Sequence, residues 1–535
     1  MGESIPEFAI LSHTWWEGEI SFLDMMAIKS DPEHAATKRP GYAKIVQTCK
    51  QAIKDNISYV WVDTCCIDKT SSAELSEAIN TMYRWYQQAK TCYAVLNDFD
   101  TSDADVETAL SRCRWFTRGW CLQELIAPRS VEFFDGKWNR IGSKAELKSM
   151  IAGITNLNED VLVGKTAIES ISVACRMSWA AGRQTTREED IAYCLLGIFD
   201  VNMPMLYGEG GQKAFMRLQE EIIKISNDLS IFAFSNAVEE GKVDSMQPYS
   251  DLFAKHPSDF ASCGQLKHIS IDVHWNDAFA LTNKGLHFRR ATFQANQRLG
   301  AFSMPLNCGK SESEPVLMHF RKVGSGLYAK YNPRSSEAID QLVAGDAKDA
   351  KVEEEAYIIS RLSPPVQLRL KQADEYAIHL RSRTHHLEGA IQPLLRASSS
   401  LYWDVSRMQF LTNGSKSFQG FCKVFPGMLK PMDVTAEGRQ PPSGQFYLVC
   451  GVEHPENSQV PKGWVRLLSA EKWRELETRF GVVSDLNGVA HVMNVDCTSD
   501  QIKFKESTII SAVVKLEAHN EVPRFELEIN LSGGS

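Results

Sequence analysis

RWFTRGWCLQELIAP, residues 114–128, lies between two short apolar runs, TCYAVL (91–96) and VEFF (131–134). Both runs have the length and the β-branched and aromatic content of buried strands. Between them, Trp120 and Glu124 stand at i and i+4, with Leu122, Leu125 and Ile126 available for a buried side. That spacing predicts a helix that stops before Pro128 and carries the indole and the carboxylate on one face. Working outward, the alternation recurs. FAILS (8–12) reads as a strand, GYAKIVQTCKQAIKDN (41–56) as a helix with Tyr42, Ile45, Val46, Cys49 and Ile53 at helical spacing, and ISYVWVD (57–63) as a second strand. Ser71 and Glu74 form an S-x-x-E capping box, and the helix they open carries Leu75, Ile79, Met82 and Tyr86 on one face. Four strands separated by helices predict an α/β domain with a mostly parallel sheet over residues 1–150.

The pattern then turns helical over 151–235, where REEDIAYCLLGIF and GGQKAFMRLQEEIIKI show amphipathic spacing. Beyond 236 it changes again. HISIDVHW (268–275), LHFRRATF (286–293), PVLMHFRKV (315–323), GQFYLVCGV (444–452) and STIISAVVKLEAH (507–519) read as strands. A β-rich region over 236–535 is expected, in two portions separated by a charged, alanine-rich linker at 332–356.

At 535 residues the chain exceeds a single core. Apolar residues at 43% and charged residues at 23% are ordinary globular values, so pervasive disorder is not expected. A net charge of −9 argues against general nucleic-acid binding, which needs a basic surface to displace counterions. No run approaches the ~18 apolar residues of a membrane span, and MGESIPEF lacks a basic, apolar signal segment. Its Gly2 is followed by Pro6 where a myristoylation pattern has Ser or Thr, so lipidation is not expected. The thirteen cysteines are odd in number, scattered and without a C-x-x-C pair. Reduced, mostly buried thiols of a cytoplasmic protein are expected.

Open parallel sheets bind ligands at the carboxyl ends of their strands. Ser12, His13, Thr14, Trp15 and Trp16 follow the first strand; Asp63, Thr64, Cys65, Cys66 and Asp68 follow the second; Asn97 and Asp98 follow the third. Aromatic faces, hydroxyls and acids with few cations suit a ligand bearing a base and a ribose better than a bare phosphate. A carboxylate beside an indole is partly desolvated, which raises its pKa, although an acidic residue on a helix is more often a solvated or capping group. GEGGQKAF (208–215) lacks the GxxxxGK[ST] pattern and reads as a helix entry. His385–His386 has no HExxH frame, and no metal site is expected.

AILSHTWW, YVWVDTCCIDK, SAELSEAINTMYRWY and RWFTRGWCLQELIAP, in that order, resemble the fungal heterokaryon-incompatibility (HET) domain. The resemblance continues through MSWAAGRQTTREEDIAYCLLGIFDVNMPMLYGEGGQKAFMRLQEEII and covers about residues 1–235. It implies a role in allorecognition, with the domain inducing regulated cell death through self-association or a protein partner. WCLQEL is also similar to the WCLxEL segment of TIR domains, which implies a flavodoxin-like fold. In TIR enzymes that cleave NAD, the glutamate of that segment is catalytic. Carried over by motif, that role falls on Glu124, the preceding aromatic on Trp120, and the pocket lining on Ser12, His13, Trp15 and Trp16, with Asp63, Cys65 and Asp68 beside them. NAD is then the substrate, and no cofactor is implied. The contrasting expectation is an interaction module without catalysis, in which Glu124 is structural.

Overall fold

The computed structural model describes residues 5–102, 105–234, 249–269, 278–296, 300–332, 350–382, 385–387, 390–393, 402–415, 417–425, 430–431, 445–453, 460–480, 498–504, 508–519 and 522–533. Gly2, most of HISIDVHW and residues 333–349 of the expected linker fall outside them. The chain forms two compact units. The first is built from residues 5–234 with 253–269 and 305–316. The second holds 249–252, 278–296, 300–304 and the described residues from 317 onward.

A five-stranded sheet organises the first unit. Its strands are β1 (Phe8–His13), β2 (Tyr59–Trp61), β3 (Thr91–Leu96), β4 (Val131–Asp135) and β5 (Arg140–Ser143), in the order β2-β1-β3-β4-β5. The first four run parallel, while β5 returns antiparallel to β4. One strand more than expected is therefore present. RIGS is short and polar, and only its hairpin pairing makes it a strand. All of β3 and β1 from Ala9 onward are buried, as expected of strands covered on both faces. Each large apolar side chain buried there contributes about 1.5–3 kcal/mol.

Helices α1 (Phe22–Ser30) and α2 (Pro40–Lys54) join β1 to β2; after the single turn α3 (Asp63–Cys66), α4 (Ser72–Gln88) leads to β3. On α2 the core side is made by Gly41, Thr48 and Ala52, with Tyr42 and Ile45 packed partly against it. Ile53 is 72% exposed, so the apolar face read from spacing is only half right. The Ser71 hydroxyl caps α4 by accepting from the Glu74 N–H, but the Glu74 carboxylate accepts from Asp68 N–H instead of closing the box. Ile79, Met82 and Tyr86 are buried as their spacing predicts, and the Tyr86 hydroxyl donates to the Leu11 carbonyl at 3.1 Å. That bond fixes α4 against β1.

The motif 114–128 is not one helix. After α5 (Val106–Arg112), a 3₁₀ turn spans Arg114–Thr117, and α6 runs Cys121–Ile126. Between them, Gln184 N–H donates to the Thr117 carbonyl at 2.7 Å and Gly119 N–H to the Gln184 carbonyl at 2.8 Å. A Cβ on Gly119 would meet Thr185 Cγ2 at 2.5 Å, so the crossing needs glycine. Helical extension and sheet domain are thus laced together at this motif. The extension itself is helical as read: α7 (Lys148–Thr155), α8 (Glu159–Leu162), α9 (Val173–Ser178), α10 (Asp190–Tyr193), α11 (Leu196–Phe199) and α12 (Gly211–Ile225).

The second unit is rich in strands, as expected. Gly285–Asn296 pairs antiparallel with Ala350–Ile358, so the carboxyl end of the expected linker is a strand. Ser417–Val424, Phe446–Glu453 and Lys462–Ser469 form an antiparallel ladder. Thr508–His519 and Val522–Gly533 pair along their full length. Side chains of these strands, Cys422, Leu448, Val465, Ile510 and Leu527 among them, share one core. Among the described residues, no helix is long and apolar enough to cross a membrane.

On α11, a Cβ at Gly197 would lie 2.0 Å from Tyr83 Cβ on α4, too close for any rotamer to relieve. Gly197→Ala should destabilise the protein by about 1–3 kcal/mol, read as a lowered midpoint in thermal or urea unfolding; an unchanged midpoint would refute this α4–α11 contact.

Candidate functional site

Strand β1 lies inside the sheet, and the chain leaves it on one side for β2 and reaches β3 on the other. Its carboxyl end is thus a topological switch point, where open parallel sheets form ligand crevices. Ser12, His13 and Thr14 are buried there. The Ser12 hydroxyl donates to Glu124 Oε2 and accepts from the Trp115 ring N–H at 2.7 Å. A hydroxyl carries one donor and two lone pairs, so both roles are filled at once. Trp115 is itself fully buried, edge-on to Phe116 and Phe133 at centroid distances of 4.9 and 5.6 Å.

Glu124 is 7% exposed. Burial pushes its carboxyl up to about 7 and the nearby Asp63 charge adds to this, while the Arg118 guanidinium and the hydrogen bonds from Ser12 and Cys121 oppose the rise. The group is thus poised between protonation states near neutral pH, where a carboxyl in water would be fully ionised.

A second chain of polar contacts runs across the same strand end. His13 Nδ1 lies 2.8 Å from Lys44 Nζ, and Nε2 lies 3.1 Å from Asp63 Oδ1. An ammonium has only donors, so Nδ1 accepts, and the ring proton sits on Nε2 and points at Asp63. Lys44 also donates to Glu19 Oε1 at 2.5 Å. The other Asp63 oxygen accepts from the Trp15 ring N–H at 3.0 Å. Burial alone would raise Asp63, but the His13 hydrogen bond and the cations Lys69 and Arg118 hold its carboxyl below the usual value. Lys69 Nζ stands 3.7 Å from the Trp15 ring centroid, a cation–π contact. Arg118 donates to the His13 carbonyl at 2.8 Å and influences both carboxyls, linking the two chains.

Five of the residues singled out from sequence therefore converge: Ser12, His13, Trp15, Asp63 and Glu124. Trp16 stands next to them, 51% exposed, its ring N–H donating to Thr14 Oγ1 at 3.0 Å. The other three are committed elsewhere. Cys65 packs into the hydrophobic core with Ala9 and Leu11; a hydrogen bond between the two free thiols pushes that of Cys65 up and lowers that of Cys66. The Asp68 carboxylate accepts from the Thr70 N–H and hydroxyl within its own turn. The Trp120 ring N–H donates to Asp190 Oδ2 at 3.1 Å, and the Tyr207 hydroxyl to Oδ1 at 2.9 Å. The indole nearest to Glu124 through hydrogen bonding is accordingly Trp115.

The expectation of few cations is overturned, because Arg118, Lys44 and Lys69 all reach the strand end. Arg118 lies inside the quoted motif and Lys69 ends CCIDK, so both were in view as letters, whereas Lys44 arrives from α2, where spacing marks the apolar residues and gives no signal for a lysine. The GEGG loop holds no external anion at its glycines: the Glu189 carboxylate accepts from Gly208 and Gly210 N–H at 2.8 and 3.0 Å. His385–His386 forms a two-residue strand against Lys430–Pro431, and no cluster of three or more metal-ligating side chains occurs among the described residues.

Comparison with known proteins agrees with the motif order. Residues 8–111 match the family model described as heterokaryon incompatibility protein (HET). The chain is similar to the vegetative incompatibility protein HET-E-1 of Podospora anserina, 48% identical over 228 residues, covering 41% of this chain. It spans only 16% of that relative's length. No solved structure matches. Residues 8–111 therefore carry a heterokaryon-incompatibility (HET) domain, built on the sheet whose first strand ends at Ser12 and His13.

Proposed function

We propose that this protein is an allorecognition effector of regulated cell death whose HET domain hydrolyses NAD, with Glu124 as the catalytic carboxylate. The incompatibility family supports the cellular role. The chemical role is carried by one observation, the buried Glu124 carboxyl hydrogen-bonded to Ser12 at the carboxyl end of β1. The likeness of WCLQEL to the TIR glutamate segment points the same way, and with it to a flavodoxin-like reading of the β2-β1-β3-β4-β5 order.

In this reading the bond between ribose C1′ and the nicotinamide nitrogen breaks, and its electron pair leaves with the nitrogen. The cationic nicotinamide thereby becomes a neutral leaving group and needs no general acid. Positive charge develops on the ribose ring, as in glycoside cleavage, and ionised Glu124 stabilises it at short range in a water-poor site. A ribose hydroxyl takes over the hydrogen bond that Ser12 donates to the carboxylate in the free protein. Water adds to C1′ and loses a proton, giving ADP-ribose. Arg118 acts as a positioning residue that favours the ionised form of Glu124. Self-association or a protein partner is the proposed trigger.

A second reading is favoured by the pair of surface indoles, Trp15 at 44% and Trp16 at 51% exposure. Exposed aromatics anchor protein contacts, so a non-enzymatic domain could nucleate a death complex through them. Cell death that survives Glu124→Gln but is lost in Trp16→Ala would support this alternative and sink the catalytic one.

Purified protein should release nicotinamide from NAD, and Glu124→Gln should lower the rate at least about a hundredfold. Because only the ionised carboxylate acts, the wild-type rate should climb with pH through about 7 and level off above it. Arg118→Ala should move that limb to higher pH, since the opposing positive charge is gone. A rate independent of pH between 5 and 9 would contradict Glu124 as the reacting group.

Stability offers an independent check. An unfolded glutamate ionises near 4.5 and the folded Glu124 near 7. Between these values the native state keeps a proton that the unfolded state releases, so this group's contribution falls as pH rises and stays low above 7. Glu124→Gln should therefore be more stable than wild type at pH 8 by about 1–3 kcal/mol, with the advantage shrinking toward pH 4. Urea unfolding at the two pH values measures this, and equal differences at both would refute the buried, protonated carboxyl.

A further inference from the structure

The carboxyl end of the sheet also opens a cleft of about 660 Å³ between the loop after β1, the start of α2 and the β4–β5 turn. That volume lies within the about 300–1,000 Å³ typical of small-molecule sites. Its walls include two indoles, Trp16 and Trp138, together with Lys44, Lys137, Glu19 and Asn97. Glu124 is not part of its lining.

Trp138 is held at φ +65°, in the left-handed region. A bulky side chain costs about 1–2 kcal/mol there, and glycine or asparagine is the usual occupant. The turn does not itself require tryptophan. It is closed by Asp135, whose carboxylate accepts from the Lys137 and Asn139 N–H groups at 2.8 Å and whose own N–H donates to the Asn139 carbonyl at 3.0 Å. The indole packs near Phe134 and Tyr93, at centroid distances of 5.4 and 6.5 Å, and also lines the cleft. Strained positions of this kind cluster where a side chain must be presented to a ligand.

The other lining groups have complementary chemistry. The Trp16 ring is oriented by its bond to Thr14, which leaves an exposed aromatic face fixed in place. Lys137 is exposed on the turn, and no ion pair engages it among the described residues. Lys44 reaches the cleft while bonded to Glu19 and His13, so a ligand phosphate there would connect directly to the polar chain of the site. Aromatic faces beside cations, with two carboxylates (Glu17 and Glu19) and two amides (Gln47 and Asn97) for hydroxyl and base-edge groups, match a nucleotide better than a sugar, a lipid or a peptide.

We propose that this cleft is a nucleotide subsite that takes the adenine nucleotide part of a dinucleotide, with the base stacked against the indoles and the phosphates drawn to Lys137 and Lys44. The assignment rests on the NAD reading above, because it places the half of NAD that does not react. Binding energy from such a remote half is what an enzyme uses to orient the reacting bond. The subsite itself needs no cleavage to be detected.

The test is isothermal titration of the full chain with ADP and with ADP-ribose, for wild type, Trp138→Asn and Lys137→Glu. Wild type should bind both ligands. Trp138→Asn should weaken each about tenfold, the loss expected for removal of one stacking ring; asparagine suits the left-handed backbone, and a thermal melt verifies that the variant is folded. Lys137→Glu, on an exposed turn, should weaken binding most at low salt, with the deficit shrinking as ionic strength rises. Folded wild type that binds neither ligand, or variants that both bind as wild type does, would overturn the proposal. Cleavage is read apart. Binding that depends on Trp138 without nicotinamide release sinks the catalytic reading and leaves the subsite standing. Release with a KM for NAD unmoved in both variants sinks the subsite and leaves the reaction standing.

Discussion

A carboxyl group buried at the end of the first strand is the constraint around which the amino-terminal domain is arranged. Placing Glu124 there costs solvation, which an unpaired ionised carboxylate could not recover. The fold answers by partial neutralisation and by hydrogen bonding. Ser12 donates to the carboxylate, Trp115 donates to Ser12, and Trp115 is itself locked among Phe116 and Phe133. Side chains from β1, the 3₁₀ turn and α6 are thereby fixed relative to one another. The bridge through Gln184 that interrupts the motif at Gly119 carries this order into the helical extension.

Around that buried group, acids and bases are interleaved. Glu19, Lys44, His13 and Asp63 follow one another at hydrogen-bond or ion-pair distance, and Lys69 and Arg118 stand about Trp15. Each member finds a hydrogen-bond or charge partner within the series. The series also fixes the His13 tautomer, since the lysine on one side can only donate.

The second unit follows a related rule with a different outcome. Among its buried charges, Lys322 pairs with Glu354 across the sheet, and Arg407, in the turn between Trp403–Asp404 and Gln409–Phe410, pairs with Asp404 and Asp374. Removing one partner of such a pair strands the other, so these pairs restrict which partner strands can meet more than they add stability. They have the geometry of structural pairs.

Much of this was legible in the sequence. Period and composition located β1 to β4, the helices between them, the helical extension and the strand-rich remainder, because these follow from local spacing of apolar side chains. The order of polar residues at strand ends located Ser12, His13 and Asp63, because parallel strands deliver their carboxyl ends to one edge, while Glu124 was singled out by the motif 114–128 and its likeness to a TIR segment. Spacing could not say which indole meets Glu124. Trp120 shares its helical spacing, yet it turns to Asp190, and Trp115 reaches Ser12 only because a glycine bridge breaks the helix. Nor could it place Lys44, Lys69 and Arg118, which come together across long separations in the chain. The sequence by itself determined which segments are strands and helices and which side chains sit at the strand ends. Only the tertiary structure decided which of them touch and how far each carboxyl is shifted, because contact, desolvation and charge proximity depend on distances in space that local spacing does not encode.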